Sequence, residues 1–99
     1  MIVLEEKAVP DPTLFVEKRD GRRVIFDVDK IDKALHKAAE KVMDVTPLVE
    51  KRLSTLVERI VEEIHSRFPQ GVKIYEIQNI VEHELLEAKE YALAEEYIT

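Results

Sequence analysis

The chain is expected to fold as an α+β domain: a small three-stranded sheet, a hairpin plus one short strand, capping a bundle of about four helices. Three observations predict this. Two short apolar stretches flank Asp20-Gly21, a strong hairpin signal. Apolar residues then recur at helical spacing through most of the chain beyond Asp29. A third short apolar stretch, Val72-Lys73-Ile74, interrupts that helical part directly after Pro69-Gln70-Gly71. A chain of 99 residues makes one domain with one core, because at this size only roughly 60–65% of the unfolded surface is buried.

Taken in order, residues 1–13 contain two prolines and no sustained periodicity, so they read as an N-terminal leader, loose or an edge strand. The domain proper is expected over residues 14–99. Leu14 to Lys18 and Val24 to Asp27 are the hairpin strands. Asp27 or Asp29 can cap the next helix by accepting from its free N–H groups. Ile31, Ala34, Leu35, Ala38 and Val42 share one face of that helix, and its small alanines allow another element to approach closely. Thr46-Pro47 starts a second helix, with threonine as cap and proline at a position that needs no N–H partner. Its apolar stripe is Val49, Leu53, Leu56, Val57, Ile60, Val61 and Ile64, with Glu58, Arg59, Glu62 and Glu63 on the wet side. Val72 to Ile74 reads as the third strand. Glu76 to Glu87 comes next as a third helix with Ile77, Ile80, Val81 and Leu85 inward. Tyr91 to Ile98 forms a fourth, with Leu93, Ala94 and Tyr97 inward. The pattern stops at Ile98-Thr99 without a glycine or polar cap, so a piece of a longer polypeptide is expected.

Composition excludes several classes. The chain is 45% apolar and 36% charged, which suits a folded, helix-rich, soluble protein. No apolar run approaches the roughly 18 residues that span a bilayer. Acids stand where a signal peptide would carry cations, so the expectation is a cytoplasmic protein with no membrane partner. Zero cysteines exclude disulfides, thiolate metal sites and thiyl-radical chemistry within this chain. The net charge of −6 argues against non-specific nucleic-acid binding. Against that acidic background, residues 18–37 hold seven cations and only four acids. A charge run alone more often solvates a face than binds a ligand, so this cluster gains meaning only from its surroundings.

Those surroundings can hold a polyphosphate; a nucleotide needs cations for its phosphates, an apolar slot for its base and a polar group for the base edge or ribose. Lys18 and Arg19 leave a strand end and can converge on phosphates, one as a point charge and the other as a bidentate fork. Lys30 lies in the first turn of a helix, whose free N–H groups and positive dipole end also favour an anion. Ile31 and Ile77 stand at the starts of two helices and can form the slot. Gln78 can donate and accept. Asp20 is read as shaping the turn, with Arg22 and Arg23 beyond it.

With these residues in this order, the chain resembles the ATP-cone, the regulatory nucleotide-binding domain of ribonucleotide reductases. The marks are Val16-Glu17-Lys18-Arg19-Asp20-Gly21, then Phe26-Asp27 with Lys30-Ile31, the alanines Ala34, Ala38 and Ala39, the run Val72-Lys73-Ile74-Tyr75-Glu76-Ile77-Gln78, and Ala94-Glu95-Glu96-Tyr97-Ile98. The resemblance implies ATP or dATP as allosteric effector, with Mg2+. It places Lys18, Arg19 and Lys30 on the phosphates, and Val16, Asp27, Ile31, Ile77 and Gln78 around the nucleoside. It further implies an overall-activity switch: ATP keeps the enzyme active, and dATP shuts it down through subunit association. The partners would be the remainder of the reductase and its subunits. The stretch from Glu76 to Leu85 looks closest to the anaerobic ribonucleoside-triphosphate reductases. Two positions depart from the pattern: Ile74 stands where some reductase cones carry threonine, and Val24 replaces a polar residue found in some members.

No catalytic site is expected in this chain. His36, His65 and His83 are scattered over three predicted helices, and His83-Glu84-Leu85-Leu86-Glu87 is half of a zinc-protease motif with Glu87 in place of the second histidine. Two alternatives remain beside the reductase reading. One is the nucleotide-sensing domain of a repressor of reductase genes, a protein that carries a cysteine zinc ribbon ahead of its cone, whereas residues 1–13 here contain no cysteine. The other is a helical interaction module without ligand.

Overall fold

A computed structural model describes residues 14–98; the leader expected over 1–13 lies outside the described residues. In order, the elements are strand β1 (Phe15–Glu17), strand β2 (Arg23–Ile25), helix α1 (Val28–Val42), helix α2 (Pro47–Arg67), strand β3 (Gly71–Lys73), helix α3 (Ile74–Glu87) and helix α4 (Tyr91–Ile98). The α+β expectation holds, as do the sheet and the four helices.

β1 is the central strand. β2 pairs with it antiparallel, with Val16 opposite Val24. β3 pairs with it parallel, with Val16 opposite Val72. These three valines form one row of the sheet, and Val16 and Val72 are buried. Alternation sends Phe15 and Glu17 the other way, where the Arg23 guanidinium lies 5.1 Å from the centre of the Phe15 ring. The hairpin closes through a short loop. The Lys18 N–H donates to the Arg22 carbonyl at 2.8 Å, and the Gly21 N–H donates to the Lys18 carbonyl at 2.9 Å. Gly21 sits at φ 88°, a conformation in which any side chain would be strained.

Each helix begins and ends for an identifiable reason. The Asp27 carboxylate accepts from the Asp29 N–H at 3.0 Å, so Asp27, not Asp29, caps α1. The Thr46 hydroxyl oxygen accepts from the Val49 N–H at 3.2 Å ahead of Pro47. α3 starts directly after β3 because the Glu76 carboxylate turns back to accept from the Lys73 N–H at 2.9 Å. Ile74, expected as the end of the strand, is therefore the first residue of α3. α3 ends with the Glu90 N–H donating to the Leu85 carbonyl and the Lys89 N–H to the Leu86 carbonyl. That pairing puts Lys89 in the left-handed region at φ 61°.

The helices close into a ring, with α1 and α3 each packing against both α2 and α4. Leu35, Ala39, Leu53, Ile60, Ile64, Val81, Leu85 and Leu93 fill the centre, and no polar or charged residue is buried among the described residues. Val42, Val49 and Val61 lie at the half-buried edges of their stripes. Among the described residues, no helix is long and apolar enough to cross a membrane.

Candidate functional site

The basic segment folds into two adjacent features because the hairpin turn and the start of α1 are only a few residues apart. At the turn, Asp20 is not available to a ligand. Its carboxylate accepts from the Arg22 backbone N–H at 3.0 Å and from Arg22 Nε at 2.7 Å. These two bonds, with a smaller attraction from Lys18, hold the Asp20 carboxyl below the usual aspartate range. Arg22 is thereby committed to Asp20, and Arg23 to the face of Phe15. Among the described residues, Lys18, Arg19 and Lys30 enter no ion pair.

A cavity of about 170 Å3 lies between the inner face of the hairpin and helices α1, α3 and α4. Its walls are apolar: Val16 and Val24 from the sheet, Ile31 and Ala34 from α1, Ile74 and Ile77 from α3. Its polar lining is Lys18 from the strand end, Asp27 and Lys30 from the start of α1, Gln78 from the second turn of α3, and Tyr97 from α4. Seven of the eight residues singled out in the sequence thus surround one cavity: Val16, Lys18, Asp27, Lys30, Ile31, Ile77 and Gln78. Arg19 does not line it. Arg19 borders a neighbouring groove with Glu17, Lys73 and Tyr75, and Lys18 and Ile74 belong to both. β1 ends at Glu17 and Arg19 already belongs to the turn, so Lys18 borders both depressions while Arg19 borders only the second.

Chemically, this is an amphipathic slot. The first turns of α1 and α3 both border it, beside the cations Lys18 and Lys30; at α1 the Asp27 carboxylate and carbonyl already accept from the Asp29 and Lys30 N–H groups. Helix N-termini with adjacent cations favour an anion, and the apolar walls suit a flat ring. Among the described residues, no three of His, Asp and Glu gather in a way that could hold a metal ion.

Residues 14–99 match the ATP cone domain family. The chain belongs to that family. An ATP-cone is an allosteric nucleotide-binding regulatory domain, and the marks read in the sequence all fall within the matched range. The chain is 37% identical over 93 residues to the ribonucleoside-diphosphate reductase subunit alpha of Chlamydia muridarum. It is 38% identical over 93 residues to the subunit of the same name from Chlamydia trachomatis. Both alignments cover 87% of this chain and 9% of the relative. The transcriptional repressor NrdR of Carboxydothermus hydrogenoformans is 37% identical over 82 residues, covering 83% of this chain and 51% of the repressor. The chain therefore spans about a tenth of the reductase subunits and about half of the repressor.

Five further residues line the cone's cavity without standing out as site residues in the sequence: Val24, Ile25, Phe26, Ala34 and Tyr97. Ile74 also lines it; like Val24, it stands out in the sequence as a departure from the family pattern. Ala34 carries a signal, a small residue on the inner face of α1 where a close neighbour fits. Tyr97 carries one too, a phenol among the inward residues of the last helix.

Proposed function

We propose that this ATP-cone takes ATP or dATP, as the Mg2+ complex, into the cavity between the hairpin and α1, α3 and α4. Lys18 and Lys30 hold phosphate oxygens, helped by the positive dipole end of α1. Arg19 reaches the outermost phosphate from the neighbouring groove. Ile31 and Ile77 sandwich the base, Val16 backs it, and Asp27 and Gln78 supply polar contacts to the nucleoside. Mg2+ is carried in by the phosphates. The observation that carries this reading is one cavity lined by Lys18 and Lys30 together with apolar walls, where two helices begin.

The nucleotide serves as effector for a larger protein. We infer that this protein is a cytoplasmic ribonucleotide reductase, in which the cone sets overall activity and the partners are the rest of the reductase and its subunits. The triphosphate-reducing subclass is the finer assignment. The likeness to a transcriptional repressor supports a second reading, the nucleotide sensor of such a repressor, with the same cavity and the same ligand. The reading frame beyond Thr99 separates the two: several hundred further residues with reductase cysteines carry the first and exclude the second.

Calorimetry on this chain with Mg2+ and ATP or dATP tests the binding. Micromolar affinity, about −7 to −8 kcal/mol, is expected, with a matching rise in melting temperature by mass action. No heat and no melting shift at millimolar nucleotide would remove the nucleotide reading and leave an interaction module. For the switch, sedimentation of the whole reductase should show larger assemblies with dATP than with ATP, and deletion of residues 1–99 should abolish the difference.

A further inference from the structure

We propose that Lys73 is a further phosphate-binding residue, which seats the terminal phosphate of a nucleoside triphosphate in the groove beside the cavity; this rests on the cavity being the nucleotide site. Size points to the groove first. The cavity holds about 170 Å3, short of the roughly 300–1,000 Å3 of a small-molecule site. The adjoining groove holds about 250 Å3 more and shares Lys18 and Ile74 with the cavity. A nucleotide therefore extends from one into the other. Charge then fixes its direction. The apolar walls belong to the cavity and take the base. Lys18, Arg19 and Lys73 all line the groove, so it takes the far end of the phosphate chain.

The sheet explains how Lys73 comes to stand there. β1 and β3 run parallel with Glu17 opposite Lys73. The two chains therefore leave the sheet side by side, one as Lys18-Arg19 and the other as Ile74-Tyr75. The Glu76 carboxylate accepts from the Lys73 N–H at 2.9 Å, which fixes the backbone at the edge of the groove. The ammonium, on its flexible stem, stays exposed and can turn to an anion. Among the described residues, Lys18, Arg19 and Lys73 enter no ion pair. The carboxylate lining the groove with them is that of Glu17, itself exposed, so positive charge stays in excess. Like charges brought together repel, and a phosphate between them turns that repulsion into attraction. A diphosphate is one group shorter: it reaches Lys18, at the rim both depressions share, and stops before Lys73. Lys73 thereby sets a preference for triphosphate over diphosphate.

The test is calorimetry of this chain, Lys73→Gln and Lys51→Gln with ATP and with ADP, each with Mg2+, and with melting curves to confirm folding. The parent should bind ATP more tightly than ADP. Lys73→Gln should weaken ATP by about 5- to 12-fold, between the most that an exposed ion pair contributes and the least that a hydrogen bond to a charged group does. It should leave ADP within about 2-fold, so the ATP-to-ADP preference narrows. Lys51→Gln removes the same charge from α2, away from both depressions, and should keep the preference. Unchanged ATP affinity in Lys73→Gln would overturn the assignment. So would an equal loss for ATP and ADP, or a narrowing as large in Lys51→Gln, since Lys73 would then act on an inner phosphate or only through net charge. A parent chain that binds neither nucleotide overturns the nucleotide site itself, a separate result because it shows before any substitution. Should Lys73→Gln not fold, Lys73→Met keeps the stem without the charge and is judged by the same outcomes.

Discussion

Replacing Lys18 with alanine separates ligand binding from folding more sharply than any other change in this cone. Its backbone makes both hydrogen bonds that close the hairpin loop, at 2.8 and 2.9 Å, and alanine keeps them. Its side chain, half-buried at the cavity rim, enters no ion pair among the described residues. Stability should therefore change by no more than about 0.5 kcal/mol. Binding should fall by roughly 1.5–3 kcal/mol, the span for a hydrogen bond to a charged group, which is about a 12- to 150-fold rise in Kd. Arg22→Ala is the matched control. It removes a cation from the same loop, but one whose Nε already donates to Asp20 at 2.7 Å, so its effect on Kd should stay within about 3-fold. The assay is titration calorimetry with Mg2+ and ATP, run beside melting curves. Equal Kd values for Lys18→Ala and parent would refute the phosphate role. So would an Arg22→Ala loss as large as that of Lys18→Ala, since the loop would then act only through its summed charge.

Three more outcomes are expected from the fold. Lys89→Gly should raise stability by about 1 kcal/mol in chemical denaturation, because Lys89 occupies a left-handed helix end at φ 61° that glycine adopts without strain. Leu35→Ala should lower it by about 2–5 kcal/mol, since Leu35 is fully buried on α1 at the centre of the core. Asp20 has a folded pKa below its ordinary value, so its contribution to the hairpin is present at neutral pH and is lost as pH falls below about 4 through the lowered pKa. Amide exchange at Arg22, whose N–H donates to Asp20, should accelerate over that acid range while α2 stays protected.

Much of this architecture is legible in the sequence because side-chain period reports secondary structure directly. The stripes ending in Ile64 and Leu85 fit nothing but helix faces, and Asp20-Gly21 fits little but a turn. The hidden features depend on contacts distant in sequence or on reciprocal local bonds. Ile74 carries strand propensity, yet the Glu76 carboxylate captures the Lys73 N–H and starts the helix at Ile74 itself. The end of α3 has no glycine to announce it, because Lys89 takes the left-handed position itself. Adjacency groups Arg19 with Lys18, whereas the turn that begins after β1 leaves it on the neighbouring groove. Arg22 and Arg23 are equally available cations in the sequence; in the fold Asp20 and Phe15 occupy them. Tyr97 joins the cavity only because α4 packs against both α1 and α3, a fact no local window contains.

That packing bears on how a domain this small can distinguish two effectors that differ by one hydroxyl. A direct contact to the 2′-OH separates them by only a modest factor unless a buried polar partner is left unpaired, and no polar side chain is buried among the described residues. A switch must then come from two arrangements of the protein that bind the two nucleotides unequally, with each ligand biasing the balance only by that inequality. α4 is the element best suited to have two arrangements. It is eight residues long, and only Leu93 and Ala94 are buried on it. Ion pairs flank it, Lys41 with Glu96 at 3.5 Å beside it and Arg52 with the largely buried Glu90 at its entrance, and Tyr97 packs against the core from its last turn. Exposed pairs of the first kind contribute at most about 1 kcal/mol. Through Tyr97 this helix, which packs on both α1 and α3, also lines the cavity proposed for the nucleotide. On the proposed site, nucleotide binding and the docking of α4 are therefore coupled. A nucleotide seated differently in that cavity would bear on Tyr97, and through it on the outward face of α4 that carries Tyr91 and Ile98. Both are exposed, as a surface offered to another subunit in one arrangement and withdrawn in the other would have to be.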